Sequence, residues 1–229
     1  MYISRDAGDA ASWESIAKGI TRINVRDKVH FKLTDGRDVA AVCVADSPYE
    51  PNTLIFHFDE AIERRYMNRR NTNEGAWETS EMRRRINGET IQLLPEDLSS
   101  ILVPRTIKQN INGNIIQTHD LLWLPSVKEV YGNDRNYETA YGAADEEDVP
   151  FAGFRSDRDR VRNFENGAHT WWLRSPVLGS TTHFWYVSYY GSVTNYHASS
   201  VLGVVPCFSI SYAEEEIEDL GDFAMFLGS

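Results

Sequence analysis

Residues 171–176 read Trp-Trp-Leu-Arg-Ser-Pro, and residues 184–200 read Phe-Trp-Tyr-Val-Ser-Tyr-Tyr-Gly-Ser-Val-Thr-Asn-Tyr-His-Ala-Ser-Ser. Successive side chains of a strand point to opposite faces, so Trp171, Trp172 and Leu173 cannot all lie on one side. Such a strand has to be covered on both faces, which places it in the interior. In the second stretch Phe184, Val187 and Val193 are able to pack inward and Gly191 marks a turn. The remainder, Tyr186, Ser188, Tyr189, Tyr190, Ser192, Thr194, Asn195, Tyr196, His197 and Ser199, is the candidate ligand-binding surface. Tyrosine offers large contact area at low entropic cost, and Ser and Asn offer adaptable hydrogen bonds. An ordinary edge hairpin would also favour Tyr and Thr for their β-propensity. Composition alone does not separate these two readings.

Working outward, the first clear element is a hairpin: Val29, Phe31 and Leu33 alternate with polar residues, Asp35-Gly36 makes the turn, and Val39 to Ala45 returns. That return strand is apolar on both faces, as a central strand is. A third strand is expected at Leu54, Phe56 and Phe58, followed by helices from Asp59 to about Arg70 and from Ser80 to Ile86. Leu94 to Leu98 reads as a helix entry, with proline and acids in the first turn. Asn112-Gly113 predicts a second hairpin. Leu121 to Leu124 predicts a short strand, and Ser126 with Glu129 a capping box for a helix that Gly132 closes. From Asn133 to Gly153 the polar, acidic composition predicts a surface loop, and Ser156 or Asp157 begins a short helix through Phe164. Strands and helices are interspersed without a strict strand-helix-strand rhythm, which favours α+β over α/β.

The chain has 229 residues, enough at roughly 150 per domain for one large domain or a little more. Its 34 acidic residues against 23 basic ones give a net charge of -11. That field disfavours nucleic acid and anionic membrane surfaces. No apolar stretch is long enough to span a bilayer, and Met1 to Ile20 does not read as a secretory signal. Synthesis in the cytoplasm is therefore expected, with later carriage on a particle open. Cys43 and Cys207 each sit in an apolar run and read as small buried hydrophobes, without metal or disulfide spacing.

Other motifs are weaker. Arg64, Arg65, Arg69, Arg70, Arg83, Arg84 and Arg85 cluster, but Glu60, Glu63, Glu78 and Glu81 lie among them, which reads as a solvated, salt-bridged helical face. Glu50-Pro51-Asn52 matches the sugar-and-calcium tripeptide of calcium-dependent lectins, in isolation. Asp145-Glu146-Glu147-Asp148 reads as a solvated run. The six histidines are scattered, and no serine-nucleophile elbow, phosphate loop or zinc-protease motif is present. No catalytic residues, metal or cofactor are expected.

Trp171 to Pro176, the hairpin after it and Gly203-Val204-Val205-Pro206 together resemble a domain family of unknown function from gut Gram-positive bacteria and their phages. That family ends WWLRSP, then a strand closing on Gly-Ser-Val, then GVRP. Asn73 to Asn87 and Leu121 to Gly132 fit as well, so the resemblance covers roughly 28–210. Val205 departs from the usual arginine, which removes any salt bridge built there. The C-terminal pattern is similar to the C-type-lectin-like fold of formylglycine-generating enzymes and of the variable proteins of diversity-generating retroelements. In those variable proteins a rigid frame carries diversified Tyr, Ser, Thr, Asn and His positions. The resemblance implies such a display at residues 181–200, framed by Phe184, Val187, Gly191, Val193, Gly203 and Pro206.

The expectation is an α+β, C-type-lectin-like domain over residues 28–210, with short helices around small antiparallel sheets. Residues 1–27 are expected to form an N-terminal segment and residues 211–229 an acidic tail. The expected role is non-catalytic binding of a protein or glycan ligand at the C-terminal surface. An oxidase related to the formylglycine-generating enzymes and a structural module of a larger assembly are the alternatives. Oligomeric state is not legible.

Overall fold

The computed structural model describes residues 2–4, 9–132, 145 and 147–213. Val29 and Phe31 turn inward from the strand Lys28–Lys32, Gly36 takes φ +91° in the turn, and the strand Asp38–Asp46 returns antiparallel. The next strand, Thr53–Phe58, is buried along its whole length. These three form the middle of a seven-stranded sheet ordered Asp9–Ala10, Tyr2–Ser4, Lys28–Lys32, Asp38–Asp46, Thr53–Phe58, Cys207–Ser211, Leu102–Val103. The C-terminal strand Cys207–Ser211 thus lies between strands from the first half of the chain.

A second sheet has five strands, ordered Val193–His197, His183–Val187, Trp171–Pro176, Leu202–Val204, Glu63–Arg65. Trp171, Trp172 and Leu173 are fully buried in its central strand, as their consecutive apolar character requires. Its neighbour Leu202–Val204 runs parallel to that strand, and the chain then passes through buried Val205 into the first sheet. One apolar core joins the two sheets. Two ribbons complete the fold: Arg105–Ile111 with Asn114–Asp120, turning at Asn112 and Gly113 with positive φ at both, and Arg162–Phe164 with Gly167–His169. Among the described residues the helices are short, the longest being Glu81–Gly88, capped by Ser80. The architecture is α+β, with sheets antiparallel except for the pair Trp171–Pro176 and Leu202–Val204, and few short helices.

Several expectations need correction. Asp59 to Arg70 is not a helix: the Ile62 N–H bonds the Val204 carbonyl at 3.0 Å, and Glu63–Arg65 becomes the edge strand of the second sheet. Pairing with a ready strand satisfies that backbone better than local helical turns do. Leu121 to Leu124 is not a strand beyond a single bridge between Trp123 and Cys207. The Asn87 side chain takes the place of a strand neighbour, accepting from the N–H groups of Leu121 and Leu122 and donating to the Leu122 carbonyl. The helix after Ser156 stops at Arg160, because Arg162–Phe164 pairs with Gly167–His169. Residues 1–27 are not a separate segment. Tyr2–Ser4 pairs with Lys28–Lys32, and Trp13 is buried edge-on against Phe31, Phe56 and Phe208. Most of the expected loop and tail, residues 133–144, 146 and 214–229, lies outside the described residues.

Candidate binding surface

The hairpin of His183–Val187 and Val193–His197 forms one edge of the second sheet. Its register pairs Phe184 with Tyr196, Trp185 with Asn195 and Tyr186 with Thr194, while Trp172 pairs with Tyr186 from the other side. Strand alternation then puts Tyr186, Thr194 and Tyr196 on the Trp172 face, and Asn195 and His197 on the opposite face. The expected single face is therefore divided. On the first face three rings step outward from the core, Trp172 to Tyr186 at 6.2 Å and Tyr186 to Tyr196 at 6.3 Å, both edge-to-face.

The tip is different again. Tyr189 and Tyr190 are 49% and 71% exposed, with ring centroids 4.1 Å apart. Ser188 and Ser192 build the turn: their hydroxyls bond each other at 2.8 Å, and the Ser188 Oγ accepts from the N–H groups of Tyr190 and Ser192. Gly191, at φ +88°, accepts the Tyr131 hydroxyl at 2.6 Å, and a Cβ there would collide with the Asp157 carbonyl. The short helices Val127–Tyr131 and Asp157–Arg160 thus clamp the tip. Ser199 is exposed in the following turn.

The segment after Glu63–Arg65 fixes the other end of the hairpin. The Asn73 side-chain amide donates to the carbonyls of Ser180 and His183, each at 2.9 Å, and its backbone N–H bonds Thr181. The Asn71 side chain reaches Nδ1 of His197 at 3.0 Å, and the Asn68 N–H bonds the Ala198 carbonyl. Exposed aromatic rings therefore sit on a frame held at both ends.

Beneath the second sheet lies a buried ion cluster. Arg174 donates to Glu129 at 2.6 Å, to the Leu124 carbonyl at 2.9 Å and to Asp148. Arg105 pairs with Glu129 and with Asp148 and stacks on Tyr49, whose hydroxyl donates to Glu129. Ser175 and Gln109 both donate to Asp145. Burial alone would raise the Glu129 carboxyl, but Arg105 and Arg174 overcome it and hold it at about 2. Burial pushes Asp148 up to about 7; Arg174 opposes this, while Glu129 and Asp145 reinforce it. The expectation that Asp145 and Asp148 are solvated is thus corrected: Arg105 and Arg174 hold Asp148 inward, and Ser175 and Gln109 hold Asp145. Sequence reasoning missed this cluster. Its traces were the arginine set inside a buried apolar strand and the capping-box glutamate, whose second oxygen had no assigned partner.

Among the described residues no group of three or more His, Cys, Asp or Glu side chains is arranged to hold a metal ion. Glu50 is engaged within its own turn, accepting the Ser47 hydroxyl at 3.0 Å. Cys43 and Cys207 are free and fully buried, and burial pushes the Cys43 thiol up to about 12. No helix among the described residues is long and apolar enough to cross a membrane.

These features define an α+β protein of two sheets, the second anchored by an internal ion cluster and exposing an aromatic hairpin at one edge. Residues 51–212 match a family described as a domain of unknown function, DUF6273, and the chain belongs to that family. No curated protein matches the chain, and no solved structure does. The matched span contains the hairpin, Arg105, Arg174, Glu129 and Asp148, whereas Lys28–Lys32 and Asp38–Asp46 precede it within the same sheet.

Proposed function

We propose that the chain is a non-catalytic binding protein of C-type-lectin-like architecture that captures a protein or glycan ligand on its C-terminal hairpin. The observation that carries this is the exposure of Tyr189, Tyr190 and Tyr196 on a hairpin whose frame residues Phe184, Val187 and Gly191 are buried. Several tyrosines left open to water on a held scaffold are expected where a partner covers them. The division between two faces and a tip suits a ligand that wraps the sheet edge. The reading extends to a retroelement-diversified variable protein or a phage receptor-binding component, since the exposed positions are of the residue types such a display uses. A reverse transcriptase gene beside a near-copy of the 3′ end of this gene would support the first, and neighbouring tail genes the second. The alternative, an oxidase of the formylglycine-generating type, needs a reactive cysteine pair. Buried thiols with raised pKa argue against it.

The test separates frame from display. Replacing Tyr189, Tyr190 and Tyr196 together with Ser should leave the melting transition nearly in place, since surface changes stay within about 0.5 kcal/mol each. The same change should abolish most ligand affinity, because aromatic anchors carry about 2 kcal/mol or more apiece. A triple variant unfolded at room temperature would identify those rings as structural and end this reading.

A further inference from the structure

Residues 64–85 contain seven arginines and three glutamates, a local charge of +4 in a chain of -11, so the remainder carries -15. The sequence pattern reads these arginines as one salt-bridged face; the structure separates them into two kinds. Arg83 pairs with Asp120 at 2.7 Å, Arg85 with Glu63 and Glu89, and Arg65 with Glu63, while Arg64 reaches the Val201 carbonyl away from the others. Arg69, Arg70 and Arg84 are exposed, and among the described residues none of them pairs with a carboxylate. The Arg69 guanidinium donates to the Tyr66 hydroxyl, at 3.2 Å, and Arg84 to the Thr79 carbonyl, at 2.8 Å. The nearby Glu81 carboxylate accepts the backbone N–H of Arg69 at 2.9 Å.

These three guanidiniums border two adjoining clefts of about 370 and 510 Å³, which share Arg84 and Glu81. In the smaller cleft Tyr66 is flanked by the guanidiniums of Arg65 and Arg69, at 5.8 and 5.9 Å from its ring centre. The same segment touches the hairpin through Asn71 and His197, and the Arg65 carbonyl accepts the indole N–H of Trp172 at 2.8 Å.

We infer that this surface binds an anionic sugar, with Arg69, Arg70 and Arg84 taking its carboxylate or sulfate group and Tyr66 packing against a ring. The inference rests on the proposed binding role of the hairpin and names its ligand class. A planar guanidinium matches a carboxylate or sulfate edge with two parallel hydrogen bonds. Clefts of a few hundred cubic ångströms admit one or two sugar rings. A long polyanion is disfavoured, because beyond the patch it meets the -15 of the rest of the chain. An acidic peptide would have less use for a ring platform beside the cations.

The test is calorimetric titration of the full chain with a galacturonic acid hexamer and a heparin hexasaccharide. Maltohexaose, a poly-Glu peptide and a twelve-base single-stranded DNA serve as comparison probes. One of the acidic sugars should bind, more weakly as salt rises, and which one binds identifies the anion. The Arg69→Ala/Arg70→Ala/Arg84→Ala variant should keep the wild-type melting temperature and lose at least tenfold in that affinity. Equal binding of maltohexaose, or no loss in the arginine variant, overturns the anionic assignment; the hairpin reading then still stands if the tyrosine variant loses binding. Preference for the peptide or the DNA overturns the sugar assignment, as does the absence of acidic-sugar binding. If the arginine variant loses binding and the tyrosine variant keeps it, the anion site stands and the hairpin reading fails.

Discussion

Replacing Arg174 with Met tests whether the buried ion cluster holds the second sheet to the ribbon of Arg105 and the helix of Glu129. The substitution keeps an unbranched apolar stem in a fully buried site but removes the guanidinium that binds Glu129, Asp148 and the Leu124 carbonyl. Removing one partner of a buried ion pair costs about 3–5 kcal/mol, because the remaining charge is left uncompensated. Against a typical stability of about 5–15 kcal/mol this is a large fraction. At about 2–4 °C per kcal/mol for a chain of this size, the melting point should fall by about 6–20 °C. The loss should also depend on pH. Asp148 sits at about 7 in the folded protein against an ordinary 3.8, so between those values the native state holds more protons than the unfolded one. Its contribution to stability therefore declines as pH rises from about 4 to 7. Arg174 is the main charge opposing that elevation, so removing it moves the folded value higher and carries the decline past pH 7. Glu129 loses one of the two cations that hold it down, and with it stability present only while it is ionised. Urea denaturation of wild type and variant at about pH 5.5 and 8 should show a deficit that grows with pH. A loss below 1 kcal/mol, or equal deficits at both pH values, would refute the reasoning.

Other positions give sharper local tests. Trp172→Ala should cost about 3–5 kcal/mol in urea denaturation, since the ring is fully buried and its indole N–H is bonded; a cost under 1 kcal/mol would mean that the strand tolerates a void there. Gly191→Ala meets both a left-handed backbone and the Asp157 carbonyl, so the hairpin tip should detach from the short helices, at a cost of about 1–3 kcal/mol. Hydrogen exchange of the N–H groups of Gly191 and Ser192 should accelerate in that variant, and unchanged protection would count against the clamp. Calcium and a chelator should leave the melting temperature where it is, because a ligand bound to the folded state must raise it; a rise of several degrees with calcium would reinstate the Glu50-Pro51-Asn52 site.

What was legible in the sequence was local. Asn112-Gly113 specifies its hairpin because both residues adopt positive φ readily, and in the Asp35-Gly36 turn Gly36 alone supplies it. Ser126 and Glu129 specify a helix start because both partners of the capping box lie within one turn. The run Trp171 to Leu173 announced burial on both faces because strand alternation leaves it no other choice. Tertiary structure decided whatever depended on a partner far along the chain. Glu63–Arg65 is a strand only because Leu202–Val204 is there to pair with it, and that competition cannot be read from local spacing. Asp145 and Asp148 look like solvated acids until Arg105 and Arg174, on other elements, supply the charge that makes burying them tolerable. The tyrosines were visible as a recognition palette, but the register with Trp171–Pro176 divides them between faces, and only folding brings Asn71 to His197. Turn, cap and alternation energies are set by neighbours in sequence, whereas ion burial and strand partnership are set by neighbours in space.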